Sequence, residues 1–155
     1  MGLFFYSKKM EIKTAFSPGD QCRKLIIEAI QQAEDTLDIC VFTISDDRIS
    51  NEIKDAFNRG LGIRIISDND KMLDLGSDIQ DLANEGMEVR VDKTPFHMHH
   101  KFMIIDGKET LTGSYNWTRS AEEKNEENVV LISDIRTATA FQLEFERLWE
   151  QCEVV

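Results

Sequence analysis

Nowhere in the 155 residues do about 18 apolar side chains run together, so the sequence offers no membrane span. Its three cysteines, Cys22, Cys40 and Cys152, are odd in number and form no C-x-x-C pair. That pattern argues against a disulfide framework or a Cys-based zinc site and leaves them as reduced, structural residues. Gly2 to Tyr6 is too short for a signal-peptide core, and Tyr6 stands where a myristoylation signal has Ser or Thr. These absences set the expectation of a cytoplasmic protein without stable membrane insertion. Basic residues are also scarce: 18 Lys and Arg face 29 Asp and Glu, a formal charge of -11. Affinity for polyphosphate comes largely from counterions released by Lys and Arg, so this surface should hold long duplex DNA poorly. What is present, 41% apolar residues, suffices at this length for one core that removes roughly two thirds of the unfolded chain's surface from water. The expectation is a single domain over 1–155, with its core at about 10–150.

The charge is unevenly spread. Residues 1–67 carry 9 basic and 10 acidic side chains, 68–92 carry 2 and 8, 93–119 carry 4 and 2, and 120–155 carry 3 and 9. Only 93–119 is positive, and it holds all three histidines, His97, His99 and His100. Any phosphate chemistry must therefore be local, while the acidic remainder serves solubility.

Periodicity gives alternating strands and helices. Met10 to Phe16 alternates as a strand, and Ser17-Pro18-Gly19-Asp20 carries the N-cap, N1 proline and first-turn acid of a helix start. Leu25, Ile26, Ala29, Ile30 and Ala33 form its apolar face. Leu37 to Ile44 is a buried central strand, followed by a helix from about Asp47 that stops at Gly60. Ile63 to Ile66 is another strand, a third helix covers about Ser77 to Glu85, and Met87 to Val91 is the next strand. Such βαβ succession favours an α/β sandwich with a mixed sheet. Further on, His99 to Ile105 and Glu109 to Thr112 are joined by the hairpin signal Asp106-Gly107. Gly113 to Asn125 reads as a loop with at most a short helix, and Asn128 to Ile132 as a strand. Asp134 can cap a last helix facing inward through Ala138, Phe141, Phe145, Leu148 and Trp149.

The chemistry concentrates at Met98-His99-His100-Lys101-Phe102. On a strand, a period of two puts His99 and Lys101 on one face and His100 on the other. A nucleophilic nitrogen beside a fixed positive charge suits attack on a phosphodiester, because the lysine both holds the phosphate and stabilises charge developing on its oxygens. Downstream, Gly113-Ser114-Tyr115-Asn116 adds a glycine that permits close backbone approach, a hydroxyl and an amide.

Together these residues spell H-x-K-x4-D-x6-G-S-x-N, followed by Trp117-Thr118 and by Glu126-Glu127-Asn128-Val129-Val130. The spacing resembles the signature of the phospholipase D superfamily, the HKD phosphodiesterases. The flanking segments resemble its small nuclease and cardiolipin-hydrolase branch. The likeness runs from about Ile12 to Trp149 and includes Val41-Phe42-Thr43 and Ile63-Arg64-Ile65-Ile66-Ser67-Asp68. It implies a phospholipase D-like α/β sandwich with a mixed, mostly parallel sheet flanked by helices. It also implies catalytic roles for His99, Lys101, Asp106 and Glu127. His99 would form a phosphohistidine, Lys101, Ser114 and Asn116 would bind the phosphate, and Asp106 would support the motif's local structure. Glu127 would hold the histidine in its attacking tautomer, with Glu126 as rival for that role.

A two-step displacement also needs a group that protonates the leaving oxygen and then activates water. The sequence holds one motif, and the small relatives it resembles pair two copies. The expectation is a homodimer with a shared active site, in which the second copy's His99 serves that need. This chemistry requires no cofactor and no metal. H-x-H is also a transition-metal ligand pattern, but neither a nearby Cys nor a second acidic motif accompanies it here. Tyr115, Trp117 and Arg119 are candidate nucleic-acid contacts; the two aromatics either stack bases or pack as core and rim. The leading functional expectation is an endonuclease on single-stranded DNA or RNA. The alternatives are a cardiolipin-type lipid phosphodiesterase, with Leu3-Phe4-Phe5-Tyr6 as a weak membrane contact, and a silent scaffold subunit.

Overall fold

In the computed structural model, which describes residues 9–155, alternation within each strand explains why the central strands read as unbroken apolar runs. On β2 (Thr36–Val41), Leu37, Ile39 and Val41 enter one core, while Cys40 enters a second one on the opposite face. A sheet covered on both sides buries both sets. The elements are β1 (Glu11–Ser17), α1 (Gln21–Gln32), β2, α2 (Asp47–Asn58), β3 (Gly62–Ser67), α3 (Asn69–Met72), α4 (Ile79–Asn84), β4 (Glu88–Val91), β5 (Lys101–Ile105), β6 (Glu109–Gly113), α5 (Arg119–Glu123), β7 (Glu127–Ser133), α6 (Ile135–Gln151) and β8 (Glu153–Val154). Helices α1 and α2 cover the first face through Leu25, Ile26, Ile30, Ile49 and Ile53. Helix α6 covers the other, setting Ala138, Phe145 and Trp149 against Cys40, Ile66, Phe102 and Ile104. Asp134 caps α6, its carboxylate accepting from Thr137 N at 2.9 Å.

The eight-stranded sheet has the order β1-β7-β6-β5-β2-β3-β4-β8. Only β2·β3 and β3·β4 are parallel; β1·β7, β7·β6, β6·β5, β5·β2 and β4·β8 are antiparallel. The expected mixed α/β sandwich is present, but the sheet is mostly antiparallel, not mostly parallel. Between neighbouring strands, helical crossovers preserve direction only from β2 to β3 and from β3 to β4; β5 and β6 are joined by a tight hairpin that reverses it, and α6 carries the chain from β7 across to the edge strand β8. Strand β8 carried no sequence signal. The helix start expected at Ser17-Pro18 is also displaced. Ser17 is the last residue of β1, and α1 begins at Gln21 after Asp20. The Ser17 hydroxyl instead donates to Asn125 O and accepts from Glu127 N, tying β1 to the start of β7.

This topology gathers many strand ends at one edge. The C-terminal ends of β1, β2, β3, β4 and β6 lie there with the N-terminal ends of β5 and β7, as the pairs Val41↔Lys101, Gly113↔Val129 and Ser17↔Glu127 show. Ligand sites of open α/β sheets form outside the carboxyl ends of their parallel strands. The opposite edge is closed by Asp106 and Gly107, both at positive φ (54° and 64°), in the tight turn whose Lys108 N donates to Ile105 O. Leu3-Phe4-Phe5-Tyr6 lies outside the described residues.

Candidate active site

Strand β5 starts at Lys101, and His99 precedes it in an extended segment whose His100 carbonyl accepts from Phe42 N at 2.8 Å. The alternation read from the sequence is realised. Lys101 Nζ lies 2.9 Å from His99 Nδ1 and donates to the His99 carbonyl at 2.7 Å. His100 points the other way, toward Glu144 on α6 and the edge of Phe102. Phe42, just past β2, forms a shelf under the pair: its ring centroid is 4.5 Å from that of His99 and 5.3 Å from Lys101 Nζ.

The electrostatics suit a nucleophile. Partial burial, and then the Lys101 charge, hold His99 below the ordinary histidine pKa, so its imidazole is neutral at pH 7 and keeps a free lone pair. Burial lowers the Lys101 ammonium, with the Glu127 carboxylate opposing the shift. Lys101 itself is nearly covered, while the His99 side chain is exposed.

Ser114 and Asn116 follow β6. The Ser114 oxygen accepts from Asn128 N at 3.1 Å, which leaves its hydroxyl hydrogen free to donate elsewhere. Asn116 lines a recess of about 260 Å³ with Phe42, Thr43, Lys71 and Leu75, and its Oδ1 is buried without a partner among the described residues. A second depression, with His97, His99, His100, Arg147 and Leu148, opens on the far side of the histidine. Gly113 permits a close approach, but of strand β7: a Cβ there would sit 2.9 Å from Val129 Cα and nearer still to the Asn128 carbonyl.

Other expected site residues are not brought together. Asp106 stands at the far end of β5 from Lys101, where its carboxylate accepts from the backbone N–H groups of Glu34, Asp35 and Thr36. It closes a turn and does not reach His99. Glu127 is half-buried and faces Lys101, but its carboxylate accepts from Asn125 Nδ2 at 3.2 Å and makes no hydrogen bond to His99 among the described residues; Glu126 is exposed. Tyr115 and Trp117 are each 1% exposed and have no face on which a base could stack. They belong to the core, and the Trp117 carbonyl accepts from Ser45 N and Asp46 N, which fastens the motif loop to the β2–α2 connection. Arg119 lies on the flank, paired with Asp47 at 3.3 Å. Among the described residues, no three His, Cys, Asp or Glu side chains are grouped to hold a metal ion.

Sequence reasoning missed two neighbours of the histidine, Phe42 and Asp68. Asp68 follows β3, its side chain almost wholly buried. It accepts from Met98 N at 3.0 Å and lies 3.3 Å from His97 Nδ1. Its place at the end of a parallel strand was the available signal. Glu122 is buried between Arg23 and Arg48, anchoring α5 to α1 and α2.

Comparison with known proteins fits this arrangement. The family described as "Cardiolipin synthase, PLD-like domain" matches residues 26–149. The chain is 42% identical to a mitochondrial cardiolipin hydrolase of Chlamydomonas reinhardtii, over 96% of this chain and 72% of that one. It is 37% identical to the protein of the same name from Xenopus laevis, over 96% and 76%. Among solved structures it is similar to Nuc, a phospholipase D family member from Salmonella typhimurium, with a TM-score of 0.89 and 26% identity, covering 95% of this chain and 99% of Nuc. The cytoplasmic expectation is overturned by these relatives, whose names are mitochondrial. No helix of the described residues is long and apolar enough to cross a membrane.

Proposed function

The chain belongs to the phospholipase D superfamily, phosphodiesterases of lipid or nucleic-acid substrates, and from that premise we propose that it is a lipid phosphodiesterase of the cardiolipin-hydrolase kind. The observation that carries the reading is the exposed, neutral His99 ring with Lys101 Nζ at 2.9 Å, both packed on Phe42, which also lines the recess that holds Asn116. In the first step a His99 nitrogen attacks phosphorus: a P–N bond forms, the P–O bond to the leaving alcohol breaks, and the oxygen takes a proton. In the second, water attacks the phosphohistidine, the P–N bond breaks, and its electron pair returns to the ring. Lys101 and the Ser114 hydroxyl hold the non-bridging oxygens through both steps, with the Asn116 amide beside them.

The lipid class draws support from the cardiolipin hydrolases, at 42% and 37% identity. Charge supports it as well. A long strand would carry its phosphates across surfaces rich in carboxylates, residues 68–92 and 120–155, whereas a headgroup brings its phosphates to one point. This displaces single-stranded nucleic acid as the leading substrate. The homodimer is carried forward as an assembly in which two such sites adjoin.

The test compares cardiolipin-containing vesicles with single-stranded DNA and RNA at equal phosphate concentration, using wild-type and His99→Asn protein. Vesicle hydrolysis should exceed strand cleavage and fall by about 1000-fold or more in the variant. Strands cut while vesicles stay intact would restore the nuclease reading. Inactivity on all of them would favour a scaffold.

A further inference from the structure

Resting on the lipid reading above, we propose that Leu73, Leu75 and Phe96 form an apolar rim by which the catalytic edge docks on a bilayer surface. Single exposed apolar side chains are ordinary on a protein; these three stand out by their place. Leu73 and Phe96 are each 78% exposed, and Leu75 is fully exposed. Leu73 and Leu75 follow α3, between the end of β3 and Asp78, whose N–H donates to Ile44 O just past β2. Phe96 lies between β4 and β5, three residues before His99. Both segments therefore leave the sheet at the edge that carries His99 and Lys101.

Hydrogen bonds join the two segments into one platform. Asp92 Oδ1 accepts from Asn69 N at 2.9 Å, Asn69 Nδ2 donates to Thr94 O at 3.4 Å, and the buried Asp68 carboxylate accepts from Met98 N at 3.0 Å. The platform is continuous with the site. Leu75 lines the recess that holds Asn116, and Lys71 Nζ lies 5.6 Å from the centre of the Phe42 ring on which His99 packs. A scissile phosphate sits at headgroup level with the acyl boundary just beneath it. A bilayer that brings that phosphate to His99 must meet this edge, and apolar side chains projecting from it then leave water, which favours the contact.

Charge does not supply the attraction. Lys71 pairs with Asp74 at 2.8 Å, and the exposed Asp70 offsets the exposed Lys93. With a formal charge of -11 on the whole chain, an anionic membrane repels the protein. Docking through the rim is therefore an apolar contact, and salt should strengthen it by screening the repulsion, whereas salt weakens docking through a basic patch. The contact is peripheral, and it suits the homodimer: two copies related by a two-fold axis beside His99 would set both rims around the joined site.

The test is co-sedimentation with phosphatidylcholine–cardiolipin vesicles in the His99→Asn background, which keeps the lipid intact. Adding Leu73→Ser with Phe96→Ser should raise the lipid needed for half-maximal binding by about 10-fold or more. Binding without those two changes should rise with added NaCl, and the fluorescence of Phe96→Trp should be quenched by lipids brominated on their acyl chains. With His99 intact, the double variant should lose turnover on vesicles by a similar factor. It should hydrolyse bis(p-nitrophenyl) phosphate, a soluble diester, at the wild-type rate. Unchanged vesicle binding by the double variant, an unquenched Phe96→Trp, or binding abolished by salt would overturn the proposal. Loss of the dimer in the double variant would also overturn it, giving the rim to a second copy of the chain. Failure of the lipid reading shows separately, as wild-type protein that leaves cardiolipin intact even in detergent micelles, where no bilayer has to be met; the rim proposal then falls with it.

Discussion

Asp106 combines a φ of 54° with three backbone N–H donors on one carboxylate. Burial works against its charge, but the N–H groups of Thr36, Glu34 and Asp35 outweigh it and hold the carboxyl below the usual aspartate range. A carboxyl depressed in the folded state stabilises the fold above its unfolded pKa of about 4, and that contribution is lost as pH falls through the folded value. Asp106→Ala should therefore lose about 2 kcal/mol at pH 7. Urea unfolding should show the gap to wild type narrowing below about pH 4. Asp106→Asn, which tolerates the left-handed backbone and keeps one acceptor, should lose less. The same sign logic applies to His99. Its lowered pKa places the acidic limb of kcat/KM below the ordinary histidine value, with activity rising as the imidazole loses its proton. Much at this scale was legible because it is local: H-x-K on an extended segment puts two side chains on one face, and Asp-Gly turns a hairpin. What stayed open concerns contacts across the fold. Tyr115 and Trp117, which flank Asn116 in sequence, fit base stacking and packing equally well by pattern, and their surroundings come from the β2–α2 connection, which no local pattern reveals.

Among the elements, the seam between the sheet and α6 holds an ionic network that the sequence conceals inside an apolar run. Asp38, mid-way along β2 and 7% exposed, receives both arms of Arg64 from β3 at 2.8 Å. Arg64 also donates to Glu146 on α6 and lies over the Phe145 and Trp149 rings. Gln142 completes the set by donating to Asp38 at 2.7 Å. Removing one partner strands a buried charge, so Arg64→Met should destabilise by about 3 kcal/mol. The double variant Asp38→Leu with Arg64→Met should recover most of that loss in denaturant titration. Equal losses in the single and double variants would mean that the cation–π packing, not the ion pair, stabilises this seam. Periodicity identified the helix and strand faces here well. It did not give strand order, because pairing β1 with β7 joins residues more than a hundred positions apart, and the antiparallel majority follows from such pairings.

At the scale of the whole molecule, the sheet delivers motif residues from β5, β6 and β7 to the edge where β2 and β3 end, and the proposed reaction takes place there. On the proposed lipid reading, the acidic remainder of the surface disfavours polyphosphate strands. The homodimer proposal predicts a sedimenting species of about twice the 17.9 kDa chain mass at micromolar concentration. A fully active monomer would contradict it. The proposed reaction turns on His99 bonding to phosphorus, and stereochemistry at phosphorus tests that step directly. A diester substrate made chiral by one sulfur is cleaved in the presence of a primary alcohol, and the configuration of the exchanged product is determined. Two successive in-line displacements through phosphohistidine predict net retention; inversion would mean that the alcohol displaces the leaving group directly and that His99 is not the nucleophile.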